Sequence, residues 1–250
     1  MPDFGVLGVR VNAIQIPAVI ATMESWIRNR TSTHFVAVTG MHGVVEAHRQ
    51  RTFRNILNSA DLVVPDGMPL VWMGRRHGYT MPRRVYGPEL METFFKQTGD
   101  RYSHFFYGGA DGVADLLAGK MHGLYGIRIA GTYCPPFRNL TAEEDRQVTS
   151  RIQLTAPDVL WVGLSTPKQE KWMCDFREKV DVPVMVGVGA AFDFHTGRVR
   201  QAPTWMREHG LEWFFRLVSE PRRLWRRYLV YGSQLVWNIN LEILNLRKFN

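Results

Sequence analysis

The sequence predicts an α/β fold with a Rossmann-like, mostly parallel sheet flanked by helices, followed by a basic helical C-terminal appendage. Short β-branched and aromatic runs alternate with segments of helical periodicity, which is the pattern of stacked βαβ units. Runs such as VLWVGL and VMVGVG are continuously apolar, as expected of parallel strands that are buried on both faces. Strand signals stop after Gly197, so we divide the chain into an α/β domain, residues 1–196, and an appendage, residues 197–250.

Seven runs of the first domain have the character of strands, because they are short, apolar and bounded by glycine, proline or polar residues. In chain order they are Phe4–Arg10, His34–Thr39, Asp61–Val64, Ser103–Tyr107, Arg128–Thr132, Val159–Leu164 and Val184–Val188. Seven helical segments follow these strands, each with apolar residues recurring at spacings of three and four. They are Pro17–Asn29, Val44–Leu57, Pro69–Arg76, Pro88–Gln97, Gly112–His122, Ala142–Leu154 and Lys168–Val180.

The appendage is predicted to be helical and two-faced. Pro221 indicates a helix start, because proline is accepted in a first turn and not in a helix interior. From there a step of 100° per residue separates a basic face from an apolar face. The basic face holds Arg222, Arg223, Arg226 and Arg227, and the apolar face holds Leu224, Tyr228, Tyr231 and Leu235.

The composition is that of an ordinary folded protein and excludes several classes. Among the 250 residues, 45% are hydrophobic and 22% charged, which excludes wholesale disorder, collagen and a coiled coil. Two cysteines are too few for a disulfide framework or a multi-cysteine zinc site. The chain has no HExxH, Asp-x-Asp or P-loop motif, so we expect no metal site and no cofactor.

Targeting signals are also missing from the sequence. The N-terminus has neither a basic segment nor a long apolar segment of a signal peptide. No stretch reaches the roughly 18 continuous apolar residues of a spanning helix. We therefore expect a cytoplasmic protein whose membrane contact, if it has any, is peripheral and from one side.

The positive charge is concentrated at the C-terminus. The formal net charge is +8, and residues 195–250 hold ten Lys and Arg against four Asp and Glu, or +6. A nearly neutral body with a basic end predicts an anionic partner, which from charge alone is a nucleic acid, an anionic lipid surface or a phosphorylated substrate. Most of the basic residues are arginine, whose planar guanidinium fits phosphate.

Candidate site residues follow the predicted strands, because open parallel sheets bind ligands at the carboxyl ends of their strands. These segments are Thr39, Asp66, Gly108-Gly109, Ser165–Glu170 and Gly187–Asp193, which should line one crevice. Asp66 is placed to act as a general base, although Pro-Asp-Gly is also an ordinary turn sequence. Thr39 would supply a hydroxyl to the crevice or would simply be a β-branched strand residue.

The TPKQEKW segment offers Gln169 at the start of a helix, with Thr166 as the predicted N-cap and Pro167 in the first turn. Such a helix start binds an anion or a ligand edge, or it is only a well-capped helix. In the appendage, Arg216, Arg222, Arg223, Arg226 and Arg227 are interleaved with Trp225 and Tyr228. This pattern favours contact with phosphates or a membrane interface, against the alternative of a solvated basic helix face.

Several of these segments together resemble one family of enzymes. The matching segments are ADLVVPDGMPLVW, RRVYGPELM, VGLSTPKQEKWM, GVGAAFDFHTGRVRQAPTWMREHGLEWFFRL and EPRRLWRRYL. In this order they resemble the WecG/TagA/CpsF glycosyltransferases, from about His34 to Tyr231. The resemblance implies an inverting enzyme without a catalytic metal. It would move a sugar from a UDP-sugar to a sugar on a polyprenyl-pyrophosphate lipid at the cytoplasmic membrane face.

The resemblance also implies roles for particular residues. The family's general-base aspartate corresponds to Asp66, and the threonine that ends the preceding strand corresponds to Thr39. The arginine of the family's E-R-V-x-G motif corresponds to Arg84, with Arg83 in place of the glutamate. Substrate-binding positions are implied for Gln169, Asp193, Arg216, Arg223 and Arg226. Membrane contact is then expected from Arg222, Arg227, Trp225 and Tyr228.

One departure from the family pattern concerns the sugar. Many members have T-x-N-x-E after the first site strand, whereas this chain has Thr39-Gly40-Met41-His42-Gly43. Met41 replaces a hydrogen-bonding asparagine, which leaves the donor open among glucose, N-acetylmannosamine and N-acetylmannosaminuronic acid. The acceptor sugar, the polysaccharide (exopolysaccharide, teichoic acid linkage unit or enterobacterial antigen) and the oligomeric state, a homo-oligomer included, are open as well.

Two other functional classes compete with this reading. A nucleic-acid-binding protein would explain the basic, aromatic C-terminus, but it gives the PDG, PKQEKW and AFDF segments no role. We therefore expect no nucleic-acid partner. A nucleotide-dependent oxidoreductase is disfavoured, because Gly187-x-Gly189-x-x-Phe192 lacks the third glycine of the dinucleotide fingerprint.

Overall fold

The computed structural model describes residues 1–225, 229–230 and 232–233, without the side chains of Glu208 and Arg223. Its centre is a six-stranded sheet in which every neighbouring pair is parallel. The spatial order of the strands is β4-β3-β8-β7-β5-β6. These strands are β3 (His34–Thr39), β4 (Leu62–Pro65), β5 (Ser103–Gly108), β6 (Arg128–Tyr133), β7 (Val159–Gly163) and β8 (Val184–Gly187). The predicted α/β class and parallel sheet are confirmed.

Helices cover both faces of the sheet. Those of the body are α1 (Ile16–Asn29), α2 (Met41–Arg49), α3 (Arg51–Asn58), α4 (Met68–Arg76), α5 (Gly87–Thr98), α6 (Val113–Tyr125), α7 (Ala142–Thr155), α8 (Lys168–Phe176) and α9 (Ala191–Thr196). After Gly197 come α10 (Thr204–Glu208), α11 (Glu212–Ser219) and α12 (Pro221–Trp225). A single 3₁₀ turn, Gly99–Arg101, joins α5 to β5.

The core has two layers, one on each face of the sheet. Along β3, Phe35 and Ala37 belong to one buried cluster, while Val36 and Val38 belong to the other. Successive side chains of a strand point to opposite faces, so a strand covered on both sides must be apolar throughout. This geometry explains the continuous apolar runs of the sequence.

The first predicted strand is wrong. Residues 4–10 form no single strand; instead β1 (Asp3–Val6) and β2 (Val9–Asn12) pair as an antiparallel hairpin outside the main sheet. Its two turn residues, Leu7 and Gly8, have φ of +50° and +82°, and a two-residue hairpin turn of type I′ has positive φ at both positions. Leucine seldom adopts that conformation, so only Gly8 of the two residues is of a type that indicates such a turn in the sequence.

The predicted helix over residues 44–57 is also wrong in its continuity. Gln50 has an extended backbone with φ −124° and ψ 102°, and it separates α2 from α3. Each of the two helices has its own buried apolar face, formed by Val44 and Val45 in α2 and by Phe53 and Leu57 in α3. The break lets both helices pack on the sheet.

The segment after Gly197 packs against the body. Ala202 and Leu224 are buried. Gly210 approaches Met68 so closely that a Cβ added to the glycine would lie 2.8 Å from the Met68 Cγ. Within the described ranges, no helix has the length and apolar character needed to cross a membrane.

Candidate active site

A cavity of about 530 Å³ opens at the carboxyl ends of β4, β3, β8 and β7 and is closed on one side by α11 and α12. Its polar and charged lining residues are His42, Asp66, Arg84, Tyr86, Ser165, Thr166, Gln169, Asp193, Glu212, Trp213 and Arg216. Five of the predicted site residues meet here, namely Asp66, Arg84, Gln169, Asp193 and Arg216. They come from five segments that are far apart in the sequence.

Two predicted segments, Gly108-Gly109 and Thr39, do not line this cavity. Gly108 ends β5 and Gly109 follows it. A Cβ on Gly108 would lie 2.5 Å from the Gly163 carbonyl oxygen, and one on Gly109 would lie 2.7 Å from the Val113 side chain. These glycines serve the close packing of β5 against its neighbours, so the prediction that they line the crevice is wrong.

Asp66 follows β4 directly, and its amide N–H donates to the Thr39 carbonyl oxygen at 2.8 Å. This bond fixes the Pro-Asp-Gly segment beside the end of β3. The Asp66 carboxylate is partly exposed to the cavity, and its Oδ1 lies 3.8 Å from Nη1 of Arg84. The pair places a proton acceptor next to a permanent cation at the base of the cavity.

Arg84 lies between two carboxylates. Besides facing Asp66, it donates a short hydrogen bond from Nη2 to Oε2 of Glu212, and its guanidinium stacks over the Tyr86 ring at 4.2 Å. Burial acts to lower the pKa of Arg84, but the charges of Asp66 and Glu212 outweigh it and raise that pKa. The guanidinium is therefore cationic at every accessible pH.

Glu212 is the functional residue that sequence reasoning missed. Its Oε1 accepts a 2.8 Å hydrogen bond from the Tyr86 hydroxyl, and its side chain is 8% exposed. Burial and the Glu212 carboxylate raise the pKa of Tyr86, so the phenol stays protonated. The available signal was a single acid within the apolar LEWFF run, since a carboxylate in such a setting is buried only when it is paired.

Gln169 lines the cavity but is 1% exposed. Its Oε1 accepts from the Gly189 amide N–H at 3.0 Å, and its Nε2 donates to Oε1 of Glu170 at 3.1 Å. Gly189 follows β8 and has a positive φ of +54°. The carboxamide oxygen therefore holds α8 to the loop after β8, while its nitrogen is engaged within α8 by Glu170, and Gln169 shapes the cavity wall.

The predicted capping role of Thr166 is wrong. Pro167 occupies the N-cap position of α8, where no side-chain cap is formed. The Thr166 hydroxyl donates instead to Oε1 of Glu170 at 2.7 Å. Glu170 is fully buried, so this carboxylate binds Thr166 and Gln169 together beneath the cavity.

Thr39 lies below the cavity and not in its lining. It ends β3 and is fully buried, and its methyl group is so close to α2 that a Cβ on Gly43 would lie 2.9 Å from it. Its Oγ1 makes no hydrogen bond to any residue that the structure describes. The backbone of Thr39 therefore contacts Asp66, while its side chain packs against α2 below the cavity.

Asp193 and Arg216 form the far wall. The Asp193 carboxylate lies 3.9 Å from Nε of Arg198. Arg216 reaches the cavity from α11, stacks over Phe194 at 5.3 Å and lies 3.7 Å from Glu220. Its side chain is only 12% exposed, so it is held in place along the wall.

The remaining predicted residues of the appendage divide into two groups. Arg222 and Trp225 are exposed on α12, outside the cavity lining. The side chain of Arg223, together with Arg226, Arg227 and Tyr228, lies outside the described residues. Within the described part of the chain, no three His, Cys, Asp or Glu residues are grouped so that they could hold a metal ion.

Comparison with known proteins identifies a family. The profile of the glycosyl transferase WecG/TagA/CpsF family matches residues 4–249. An N-acetylglucosaminyldiphosphoundecaprenol N-acetyl-beta-D-mannosaminyltransferase of Bacillus spizizenii is 28% identical, covering 86% of this chain and 82% of the relative. A Bacillus subtilis protein of the same name is 30% identical, covering 73% and 70%. A Staphylococcus aureus protein of that name is 25% identical, covering 88% and 86%.

The match runs through both the α/β body and the segment after Gly197, and so it includes every wall of the cavity. These walls bring together Asp66 at a strand end, Arg84 between two carboxylates and Arg216 from α11. The chain belongs to the WecG/TagA/CpsF family and is a glycosyltransferase.

Proposed function

We propose that the protein transfers a sugar from a UDP-sugar to the sugar of a polyprenyl-diphosphate lipid, with inversion and without a metal, in the synthesis of a cell-surface polymer. The observation that carries the proposal is the Asp66 carboxylate facing Arg84 at 3.8 Å in the cavity. The relatives are named for the transfer of N-acetylmannosamine to a diphosphoundecaprenol-linked sugar, which supports the substrate class.

In the proposed reaction Asp66 is the general base. The acceptor hydroxyl oxygen attacks the anomeric carbon of the donor while its proton passes to the Asp66 carboxylate. The bond from the anomeric carbon to the UDP oxygen breaks, and UDP leaves with the electron pair. A single displacement inverts the anomeric centre, and general-base assistance of this kind contributes roughly 10²–10⁴-fold.

The leaving diphosphate needs cations, and arginines supply them. Arg216 lines the cavity from α11, and Arg223 and Arg226 follow it in the sequence. Guanidinium groups form paired, charge-assisted hydrogen bonds with phosphate oxygens. In this scheme they stabilise the negative charge that develops on UDP, which is the role that a divalent cation has in other glycosyl transfers.

The basic C-terminal segment is proposed to meet the inner face of the cytoplasmic membrane, where the lipid acceptor resides. Arg222 is exposed on α12, and large apolar side chains are exposed nearby in the sequence, namely Trp205, Trp213, Phe214, Val218 and Trp225. Exposed aromatic and basic residues on short helices are typical of interfacial binding.

A donor and acceptor panel tests the proposal. The purified protein would be incubated with radiolabelled UDP-glucose, UDP-N-acetylmannosamine or UDP-N-acetylmannosaminuronic acid and a polyprenyl-diphosphate-linked sugar, followed by lipid extraction. We expect label in the lipid phase for one of these donors. Salt-sensitive DNA binding without UDP binding would instead support the nucleic-acid alternative.

A further inference from the structure

A second cavity, of about 550 Å³, lies beside the first and shares Met68, Arg84 and Tyr86 with it. Two of its remaining walls carry arginine, Arg83 before α5 and Arg207 on α10. Its other lining residues are Pro82, Glu89 and Thr204. Three guanidinium groups thus face one carboxylate in a space that opens next to the reaction centre.

The three arginines differ in how far their charge is already compensated. Arg84 is engaged by Asp66 and Glu212. Arg83 pairs with Glu89 at 3.2 Å, but its side chain is 62% exposed, and such exposed pairs contribute little and exchange readily. Arg207 donates to the Thr204 hydroxyl at 3.1 Å, and among the described side chains no carboxylate lies within 4 Å of it.

Arg207 also has unused donor capacity. Its Nε is buried and makes no hydrogen bond within the described part of the chain. A buried guanidinium N–H without an acceptor is costly, and a phosphate oxygen is the acceptor that its planar donor geometry fits best. The second cavity therefore combines excess positive charge with a buried N–H of Arg207 that has no hydrogen-bond acceptor among the described residues.

Both substrates of the proposed reaction carry a diphosphate, and the two cannot share one site. The donor diphosphate is attached to the anomeric carbon that reacts, whereas the acceptor diphosphate lies one sugar away from the hydroxyl that attacks. Two like-charged groups on opposite sides of the reacting atoms require two cationic sites. Arg216 is in the first cavity with Asp66, and Arg83 and Arg207 are in the second.

We propose that Arg83 and Arg207 bind the diphosphate of the lipid-linked acceptor in this second cavity. The inference rests on the proposed function, because it assigns a binding site to one of the two substrates of that reaction.

The test compares the Arg83→Gln/Arg207→Gln double variant with the wild type. A short-chain, diphosphate-linked acceptor in neutral detergent removes the membrane from the assay. We expect the acceptor KM to rise about tenfold or more per lost charged contact, with kcat little changed. The Kd for UDP, measured by calorimetry, should stay within twofold of the wild type. Arg200→Gln is the matched control, because Arg200 is exposed and lines neither cavity.

Arg83→Glu is a second variant, which reverses the charge on the exposed part of the wall and should raise the acceptor KM further than Arg83→Gln. If the acceptor KM is unchanged in Arg83→Gln, in Arg83→Glu and in the double variant, while the wild type is active, the inference is overturned and the proposed function is unaffected. A raised UDP Kd with an unchanged acceptor KM would assign the cavity to the donor. A defect confined to anionic vesicles would assign the arginines to phospholipid headgroups, and either result overturns the inference. A wild type that transfers to no diphosphate-linked acceptor would remove the proposed function, and this inference with it.

Discussion

At the scale of single residues, the site depends on one arginine shared by two acids. Arg84 faces Asp66 from one side and Glu212 from the other, and Tyr86 supports both the guanidinium and the second carboxylate. Glu212 accepts a hydrogen bond from Nη2 of this arginine, whereas Asp66 lies 3.8 Å from its Nη1, beyond a strong hydrogen bond. In the mechanism proposed above, this carboxylate accepts the proton of the attacking hydroxyl.

Asp66→Asn should keep the fold and the affinity for UDP while reducing turnover. An amide cannot accept the acceptor proton, so kcat should fall by about 10²–10⁴-fold. Initial rates with saturating donor, together with calorimetry for UDP, check this. Asp111→Asn is the control, since Asp111 is exposed and outside the cavity. Near-normal turnover of a folded Asp66→Asn protein would remove Asp66 from the role of base.

Glu212→Gln should reduce kcat about tenfold or more, which is the effect of losing one charge-assisted hydrogen bond. The substitution keeps an acceptor for the Tyr86 hydroxyl but removes the charge that faces Arg84, so the guanidinium turns to Asp66 and engages the base. Steady-state kinetics and a thermal melt check the expectation. Glu178→Gln, at an exposed position, is the control, and equal kcat values for the two variants would contradict the shared-arginine account.

The residues of the site could be predicted only in part, for a physical reason. Asp66, Arg84, Gln169, Asp193 and Arg216 belong to segments recognisable in sequence, and all of them line one cavity. Glu212 is separated from Arg84 by 128 residues, and local pattern says nothing about which buried acid meets which arginine. Thr39 was placed correctly at a strand end, but whether its side chain opens to the cavity depends on the packing of α2.

At the scale of elements, β5 carries a buried histidine that limits the conditions in which the sheet is stable. His104 is fully buried in the core. Its Nδ1 accepts from the Trp161 indole N–H at 3.2 Å, which places the ring proton of the neutral form on Nε2. Burial lowers the pKa of His104 to about 3, so the folded protein keeps the ring neutral.

This histidine predicts an acid-dependent loss of stability. The unfolded chain binds a proton at His104 below about pH 6.5, whereas the folded chain does so only near pH 3. The contribution of the neutral His104 ring to the free energy of unfolding is complete above pH 6.5. It declines as the pH falls below that value, by roughly 1.4 kcal/mol per pH unit. Urea unfolding at pH 7, 6 and 5 should show a smaller decline for His104→Gln than for the wild type. His77→Gln, at an exposed position, should match the wild type, and equal declines in all three proteins would contradict the prediction.

Elements were predictable where one physical rule governed them. The inner strands are largely continuous apolar runs because both faces of the sheet are covered, whereas the edge strand β6 is polar at its start and partly exposed. All six strands were predicted. The hairpin of β1 and β2 was missed because its turn places Leu7 at positive φ. The break at Gln50 was missed because apolar periodicity continues across it, and only the three-dimensional fit to the sheet requires two helices.

At the scale of the whole molecule, positive charge and exposed apolar surface come together after Gly197. Residues 195–250 contribute +6 of the net +8, and α10, α11 and α12 expose several tryptophan and phenylalanine side chains. This asymmetry was visible in the sequence. The family resemblance also implied that arginines of this segment bind substrate, whereas the contacts that make the segment a wall of the cavity, those of Glu212 and Arg216 with the body, depend on the fold.

Transfer should survive chelation. In the proposed mechanism Arg216 and its neighbours serve the leaving diphosphate, so EDTA should change the initial rate by less than about twofold, well below the effect of losing general-base catalysis. The rate would be measured on dialysed enzyme with and without EDTA, and then with added Mg²⁺ or Mn²⁺. Abolition by EDTA together with restoration by either cation would contradict the metal-free mechanism.

Charge reversal at Arg222 and Arg227 should weaken binding to anionic vesicles. Each basic residue near such a surface contributes about 1 kcal/mol, so Arg222→Glu/Arg227→Glu should lose most of the bound fraction in a flotation assay. High salt should have the same effect on the wild type, because the attraction is screened beyond about 8–10 Å. Arg51→Glu, at an exposed position of α3, is the control, and unchanged flotation of the double variant would contradict the membrane role.

The ion pair of Arg84 with Glu212 also bears on how the enzyme is made. During translation, all six strands of the sheet are complete once Gly187 has emerged from the ribosome, and N-terminal parts of a chain fold first. At that moment Asp66 and Arg84 have both left the ribosome, whereas Glu212, the second carboxylate that contacts the arginine, is still inside it. The nascent chain therefore completes its sheet before its site is complete. A product that ends before Glu212 has all six strands but lacks the second carboxylate that contacts Arg84.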